Sequence, residues 1–108
     1  MTRNKILQLL GLARRSGNLI MGTDAVIDQI AQLKLIVLAS DASPKTIDKM
    51  EKKAYFYGVP IINIFTTQEL SHAIGKTNQK MVGLSAEGFT KKINEFLEEE
   101  RIGENYES

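Results

Sequence analysis

The hydrophobic positions of this chain change period several times, and each change marks an element. Ile6, Leu9, Leu10 and Ala13 recur at helical spacing, which predicts an amphipathic helix over 3–15, ended by the Ser16-Gly17 turn signal. Leu19-Ile20-Met21 is the length of one very short strand. Val26, Ile27, Ile30 and Ala31 form the buried stripe of a second helix, with Thr23 or Asp24 able to cap it. Residues 33–40, LKLIVLAS, are apolar almost throughout, the pattern of a central strand buried on both faces. Ser43 as N-cap, Pro44 at the first helical position and Gly58 as the stop delimit a third helix, with Ile47, Met50 and Ala54 turned inward. Residues 59–65 read as a third strand with Pro60 near its start. Thr66-x-x-Glu69 is a capping-box signature for a short helix ending at Gly75. Residues 81–84 make a fourth strand, and Ser85 caps a last helix whose inner face carries Phe89, Ile93, Phe96 and Leu97.

Helices and strands therefore alternate, the signature of an α/β chain folded as a three-layer α/β/α sandwich around a small sheet. With 108 residues there is room for one core, so residues 1–102 are read as a single domain and 103–108 as a frayed acidic tail. The opening ILQLLGLARR has helically spaced, interrupted apolar positions. It is too short for a membrane span and has no cleavage-site pattern, so a cytoplasmic protein is expected. The absence of cysteine removes disulfides and thiolate metal sites and fits a reducing compartment.

Charge changes the picture more than composition does. Residues 1–92 hold 13 Lys/Arg against 7 Asp/Glu, whereas residues 93–108 hold one arginine against six glutamates. The near-zero total of +1 thus hides a body that attracts polyanions and an acidic end that works against it. Catalytic chemistry is thinly represented. His72 is the only histidine, and a lone histidine without cysteine is more often structural than catalytic. Asp41 follows the central strand where α/β sites tend to lie, yet an aspartate before Ala-Ser-Pro is usually a turn former. Neither a dinucleotide-binding glycine pattern nor a phosphate-loop lysine motif occurs. The aromatic run Tyr55-Phe56-Tyr57 on the third helix reads as packing rather than as a stacking platform.

Two stretches fit nucleic acid better. In NLIMGTDAVID (18–28), Gly22 and Thr23 sit where a strand hands over to a helix, directing backbone N–H groups and a dipole end outward. In GKTNQK (75–80), Gly75 is followed by Lys76, Thr77, Asn78 and Lys80 before the fourth strand. Small polar side chains at such edges can reach bases, and lysines can reach phosphates.

With these segments in place the chain resembles a known family. LIVLASDASP (35–44), YGVPII (57–62) and QELSHAIGK (68–76) are similar, in order and spacing, to the kink-turn-binding ribosomal proteins of archaea and eukaryotes. The opening ILQLLGLARRSGNLIMG and the closing EGFTKKI (87–93) most resemble the family's bacterial YlxQ-type branch, and the likeness covers roughly residues 3–97. It implies an α/β/α sandwich with a four-stranded mixed sheet and no enzymatic activity. It further implies RNA contacts from a Gly-x-Asn-Glu-x-x-Lys stretch at the start of the second helix and from the loop before the last strand. Here the glycine is Gly22 and the variable position Thr23, while Asp24 stands for the asparagine, Ala25 for the glutamate and Asp28 for the lysine. Only the glycine is kept.

The expectation is a non-catalytic, monomeric RNA-binding protein without cofactor or metal, associated with structured or ribosomal RNA and with no membrane contact. Gly22, Thr23, Asp24 and Asp28 at the helix entrance and Lys76, Thr77 and Asn78 in the facing loop would form the site. Arg14, Arg15, Lys34 and Lys45 would supply phosphate attraction. The alternative is a protein-interaction adaptor on the same fold, with a protein partner in a ribonucleoprotein, suggested by the changes at Ala25 and Asp28.

Overall fold

Helix α1 (Thr2–Arg15) turns Ile6, Leu10 and Ala13 into the core, the face that its spacing predicts. The computed structural model describes residues 2–107, with side chains described through Glu100; the segment 103–108, read above as a tail, lies outside the fully described residues. Four strands, β1 (Leu19–Met21), β2 (Leu35–Leu38), β3 (Ile61–Ile62) and β4 (Met81–Leu84), form one sheet in the order β1-β4-β2-β3. β4 is antiparallel to both neighbours, and β2 and β3 are parallel, so the sheet is mixed. Every residue of β2 and β4 is buried, which is why the central strand reads as an unbroken apolar run.

The other helices are α2 (Thr23–Asp28), α3 (Pro44–Tyr57), α4 (Thr67–Ile74) and α5 (Glu87–Glu107). α1 packs against α4 and α5, whereas α2 lies on β1 and β4, and α3 meets the turn that follows α2. This is the α/β sandwich with a four-stranded mixed sheet that the pattern and the resemblance imply. α1 and α4 come close because Gly11 has no side chain: a Cβ there would stand 2.7 Å from the Ala73 carbonyl oxygen. Arg3 adds a clasp at the start of the same helix, its guanidinium 4.9 Å over the Phe65 ring and 3.3 Å from Glu69. Among the described residues no helix is long and apolar enough to cross a membrane.

Four local expectations are corrected. The second helix stops at Asp28 and gives way to a 3-10 turn, Ile30–Gln32. With three residues per turn, Ile30 and Leu33 point the same way and are buried, and Ala31 is carried out to solvent. The cap of α2 falls on Gly22, with no side-chain bond, rather than on Thr23 or Asp24. The third strand is only two residues long: after Ile62 the ladder is interrupted, and contact with the β2 side resumes where the Ser40 N–H donates to the Phe65 carbonyl at 2.8 Å. α5 starts one residue later than expected, with the Thr90 N–H on the Ala86 carbonyl, so the cap position is Ala86 and not Ser85.

Candidate nucleic-acid interface

Three connections gather at one end of the sheet because β4 bonds to both neighbours there. The Gly22 N–H donates to the Met81 carbonyl at 3.1 Å, and the Ala39 N–H donates to the Lys80 carbonyl at 2.8 Å. The β1–α2 entrance, the exit of the α4–β4 loop and the β2–α3 connection therefore adjoin.

The entrance depends on glycine. Gly22 has φ 94° and ψ 151°, a region that L side chains avoid even though a Cβ would meet nothing within 4 Å. Its carbonyl accepts from the Val26 N–H at 3.0 Å and so starts α2. Thr23 and Asp24 are exposed, and Asp28, four residues on, is exposed on the same face as Asp24. With only six residues, α2 sums few peptide dipoles. The pull on anions expected from a helix end is accordingly small, and side-chain chemistry dominates this edge.

The facing loop is held from below by one buried residue. The Ser71 hydroxyl accepts from the Gln79 N–H at 2.8 Å, and the Ser71 carbonyl accepts from the Lys76 N–H at 3.0 Å. Gly75 at φ 68° and Asn78 at φ 55° supply the left-handed turns between these anchors. Asparagine tolerates that conformation better than most residues, which gives Asn78 a backbone reason to be there. Lys76, Thr77 and Asn78 all face solvent. Arg14 belongs to this neighbourhood: its guanidinium would lie 3.6 Å from a Cβ at Gly75. Its Nε is buried with no hydrogen-bond partner among the described residues, as is Oε1 of Gln79.

The remaining cations are spread apart. Lys45, exposed in the first turn of α3, stands on the site's end of the sheet. Arg15 lies in the groove between α1 and α4 with His72, which is exposed. Lys34 is at the opposite end, its N–H on the Leu84 carbonyl at 2.7 Å, in a hollow shared with Glu87, Glu95 and Glu98 of α5. The structure thus brings the Gly22, Thr23 and Asp24 entrance, Lys45 and the exit of the loop that carries Lys76, Thr77 and Asn78 to one end, sets Arg14 beside that loop's start at Gly75, and leaves Lys34 out.

Asp41 is accounted for by architecture. Its carboxylate accepts from the Thr67 N–H at 2.9 Å and from the Thr67 hydroxyl at 2.7 Å. The Thr67 hydroxyl first, then its N–H, hold the Asp41 carboxyl below the ordinary carboxylate range, and the Lys80 charge adds to this. Beside it the Thr66 hydroxyl accepts from the Glu69 N–H at 3.2 Å, while Glu69 accepts from the Thr66 N–H at 2.9 Å. That backbone bond, with help from Arg3, lowers the Glu69 carboxyl as well.

One reading from the sequence is reversed. Tyr55 and Phe56 are 89% and 80% exposed and do not pack into the core. The signal was available, because Met50 and Ala54 fix the inward direction of α3, and three consecutive residues cannot all share it.

Comparison with known proteins fits this architecture. The profile of the ribosomal protein L7Ae/L30e/S12e/Gadd45 family matches residues 4–93. An Enterococcus faecium protein named RNA-binding protein YlxQ is 38% identical over 98 residues, covering 89% of this chain and 94% of its own. The Bacillus subtilis protein of the same name is 36% identical over 92 residues, covering 83% and 92%. A solved structure of a protein of unknown function from Bacillus halodurans superposes with a TM-score of 0.82 at 33% identity, covering 87% of this chain and 97% of that one. The Giardia lamblia 15.5kD RNA binding protein shares the fold, with a TM-score of 0.75 at 16% identity over 91% of this chain and 86% of its own. By sequence over most of its length and by fold, this chain belongs to the ribosomal protein L7Ae/L30e/S12e/Gadd45 family.

Proposed function

We propose that this chain is a non-catalytic RNA-binding protein that engages structured RNA, ribosomal RNA included, through the end of the sheet where the Gly22 entrance adjoins the exit of the 76–80 loop. The observation that carries the reading is this juxtaposition, in a member of a family whose bacterial relatives are named RNA-binding proteins. The basic body supports it, and so does the spare donor of Arg14 behind the loop.

The roles divide by chemistry. Lys76, Arg14, Arg15 and Lys45 neutralise phosphates. Thr23, Thr77 and Asn78 offer hydrogen bonds at the edge, and Asp24 accepts from guanine N–H groups. Asp28, where the family pattern has lysine, repels phosphate. A base edge left unread costs about 1–3 kcal/mol of discrimination, so kink-turn selectivity is weaker here than the family pattern would give. The protein acts in the cytoplasm as a monomer.

Filter binding with kink-turn hairpins and ribosomal RNA fragments over a salt series tests the reading. Affinity should fall linearly with salt on logarithmic axes, as phosphate neutralisation requires. Binding no tighter than that of a neutral control protein, with no salt dependence, would defeat it. Co-purified partners that survive nuclease treatment would favour the adaptor instead.

A further inference from the structure

The outer face of α3 carries a feature that the entrance does not use. Lys45, Lys49, Lys52 and Phe56 follow one another at spacings of four, three and four, which places them in a single line along the helix. Lys45, Lys49, Lys52 and Phe56 are all exposed, and the line covers about 16 Å from the entrance end of the sheet to the far tip. At that tip Tyr55 is 89% and Phe56 80% exposed, and Phe56 is braced edge-on by Tyr57 at 5.1 Å and 83°.

Packing does not explain these aromatics. Tyr57, seven residues after Met50, turns partly inward, whereas Tyr55 and Phe56 follow the lysines outward. Large flat rings kept in water beside lysines are the equipment of a surface that stacks unpaired bases and holds the adjoining phosphates. The three exposed lysines in line with the rings suit a polyanion directly, whereas a protein partner would have to supply acids to match them. The acids on this helix weaken the line only modestly. Asp48 sits 3.0 Å from Lys52, but both are largely exposed, and such pairs hold a lysine weakly; Glu51 follows Asp48 by three residues on the same flank as Tyr55, beside the line and not in it.

We infer that α3 is a second RNA contact: single-stranded nucleotides flanking the structured element at the Gly22 entrance run along Lys45, Lys49 and Lys52 and stack an unpaired base on Phe56 and Tyr55. The inference rests on the RNA-binding reading above and extends the footprint to the opposite end of the molecule.

The experiment compares a kink-turn hairpin with the same hairpin carrying a single-stranded oligouridine extension, bound to the full chain and to a Tyr55→Ala/Phe56→Ala variant. Both positions are exposed, so the variant should keep the wild-type circular dichroism melt. The extension should tighten wild-type binding about tenfold, the scale of one stacked base. The variant should lose that gain and keep its affinity for the bare hairpin. 5-Iodouridine in the extension should crosslink to Tyr55 or Phe56. A hairpin that binds with no gain from the extension overturns this inference alone, as does a gain that survives in the variant. If neither RNA binds, the RNA-binding reading falls with it. A variant that keeps the extension's gain but loses a nuclease-resistant protein partner would assign the face to protein.

Discussion

Two helices of this molecule begin at the same end of the sheet and are finished in opposite ways. At α4 the first backbone donors are taken: Glu69 accepts from Thr66, Asp41 accepts from Thr67, and Thr66 accepts from Glu69. At α2 the cap is a glycine in a conformation only glycine holds comfortably, and no side chain closes it. The first junction is built to stabilise. The second leaves stabilisation unused, in the place where the family pattern puts its RNA-reading residues. The difference is one of closure: α4 begins with its donors satisfied by side chains, and α2 begins with its cap left open.

The contrast can be broken at several points. Gly22→Val should have the largest effect, costing about 1–3 kcal/mol because the backbone is wrong for a side chain, although nothing stands in its way. A urea titration would show this as a lower midpoint, and RNA affinity should fall with it; an unchanged midpoint would mean that the entrance does not need its glycine. Thr66→Ala should cost about 1 kcal/mol, the usual value of a missing cap, and leave RNA affinity alone. If RNA binding fell as well, the closed entrance would also be part of the interface. Asp28→Lys should leave stability nearly unchanged, tighten RNA binding and steepen the logarithmic salt slope by about one, as one added phosphate contact does.

The smallest effect is in acid. The Asp41 and Glu69 carboxyls both have lowered pKa values in the folded chain. Their contribution is therefore fully present above the ordinary carboxylate range, near pH 4, and is lost as pH falls through the lowered values. Thermal melts from neutral pH downward should stay level to about pH 5 and then drop. The drop should be shallower in Asp41→Asn, whose side chain has no proton to gain. An identical acid limb in that variant would show that the Asp41–Thr67 tie adds nothing to the fold.

How much of this could be read from the residues depended on whether the deciding forces were local. Ser43-Pro44, Thr66-x-x-Glu69 and Gly75 act within one turn of the chain, and each stands where the pattern puts it. The central strand declared itself because burial on both faces leaves no polar position. The end of α2 was not legible, because the 3-10 turn at Ile30 is chosen by the need to seat Leu33 against the sheet beside Gly83. For the site, the entrance and the loop were visible as separate stretches. Their adjacency is a product of β4 pairing on both sides, which no stretch of sequence contains. Lys34 shows the converse: a cation that suits the charge argument is carried by strand direction to the far end. Tyr55 and Phe56 were misjudged by composition, when the phase of their own helix already pointed them outward.

Ser71 has a consequence for how fast RNA is captured. One buried residue, through its hydroxyl and its carbonyl, fixes both ends of the 76–79 segment before any ligand arrives. The loop then has little ordering left to do at the moment of encounter, and its entropy cost falls on folding rather than on association. On the proposed function, capture of RNA by this edge should be governed by diffusion and electrostatic steering, with association rates that fall as salt is raised. Ser71→Ala frees the hydroxyl's end of the loop while touching nothing on the surface. Its signature is a slower on-rate with little change in the salt dependence of binding.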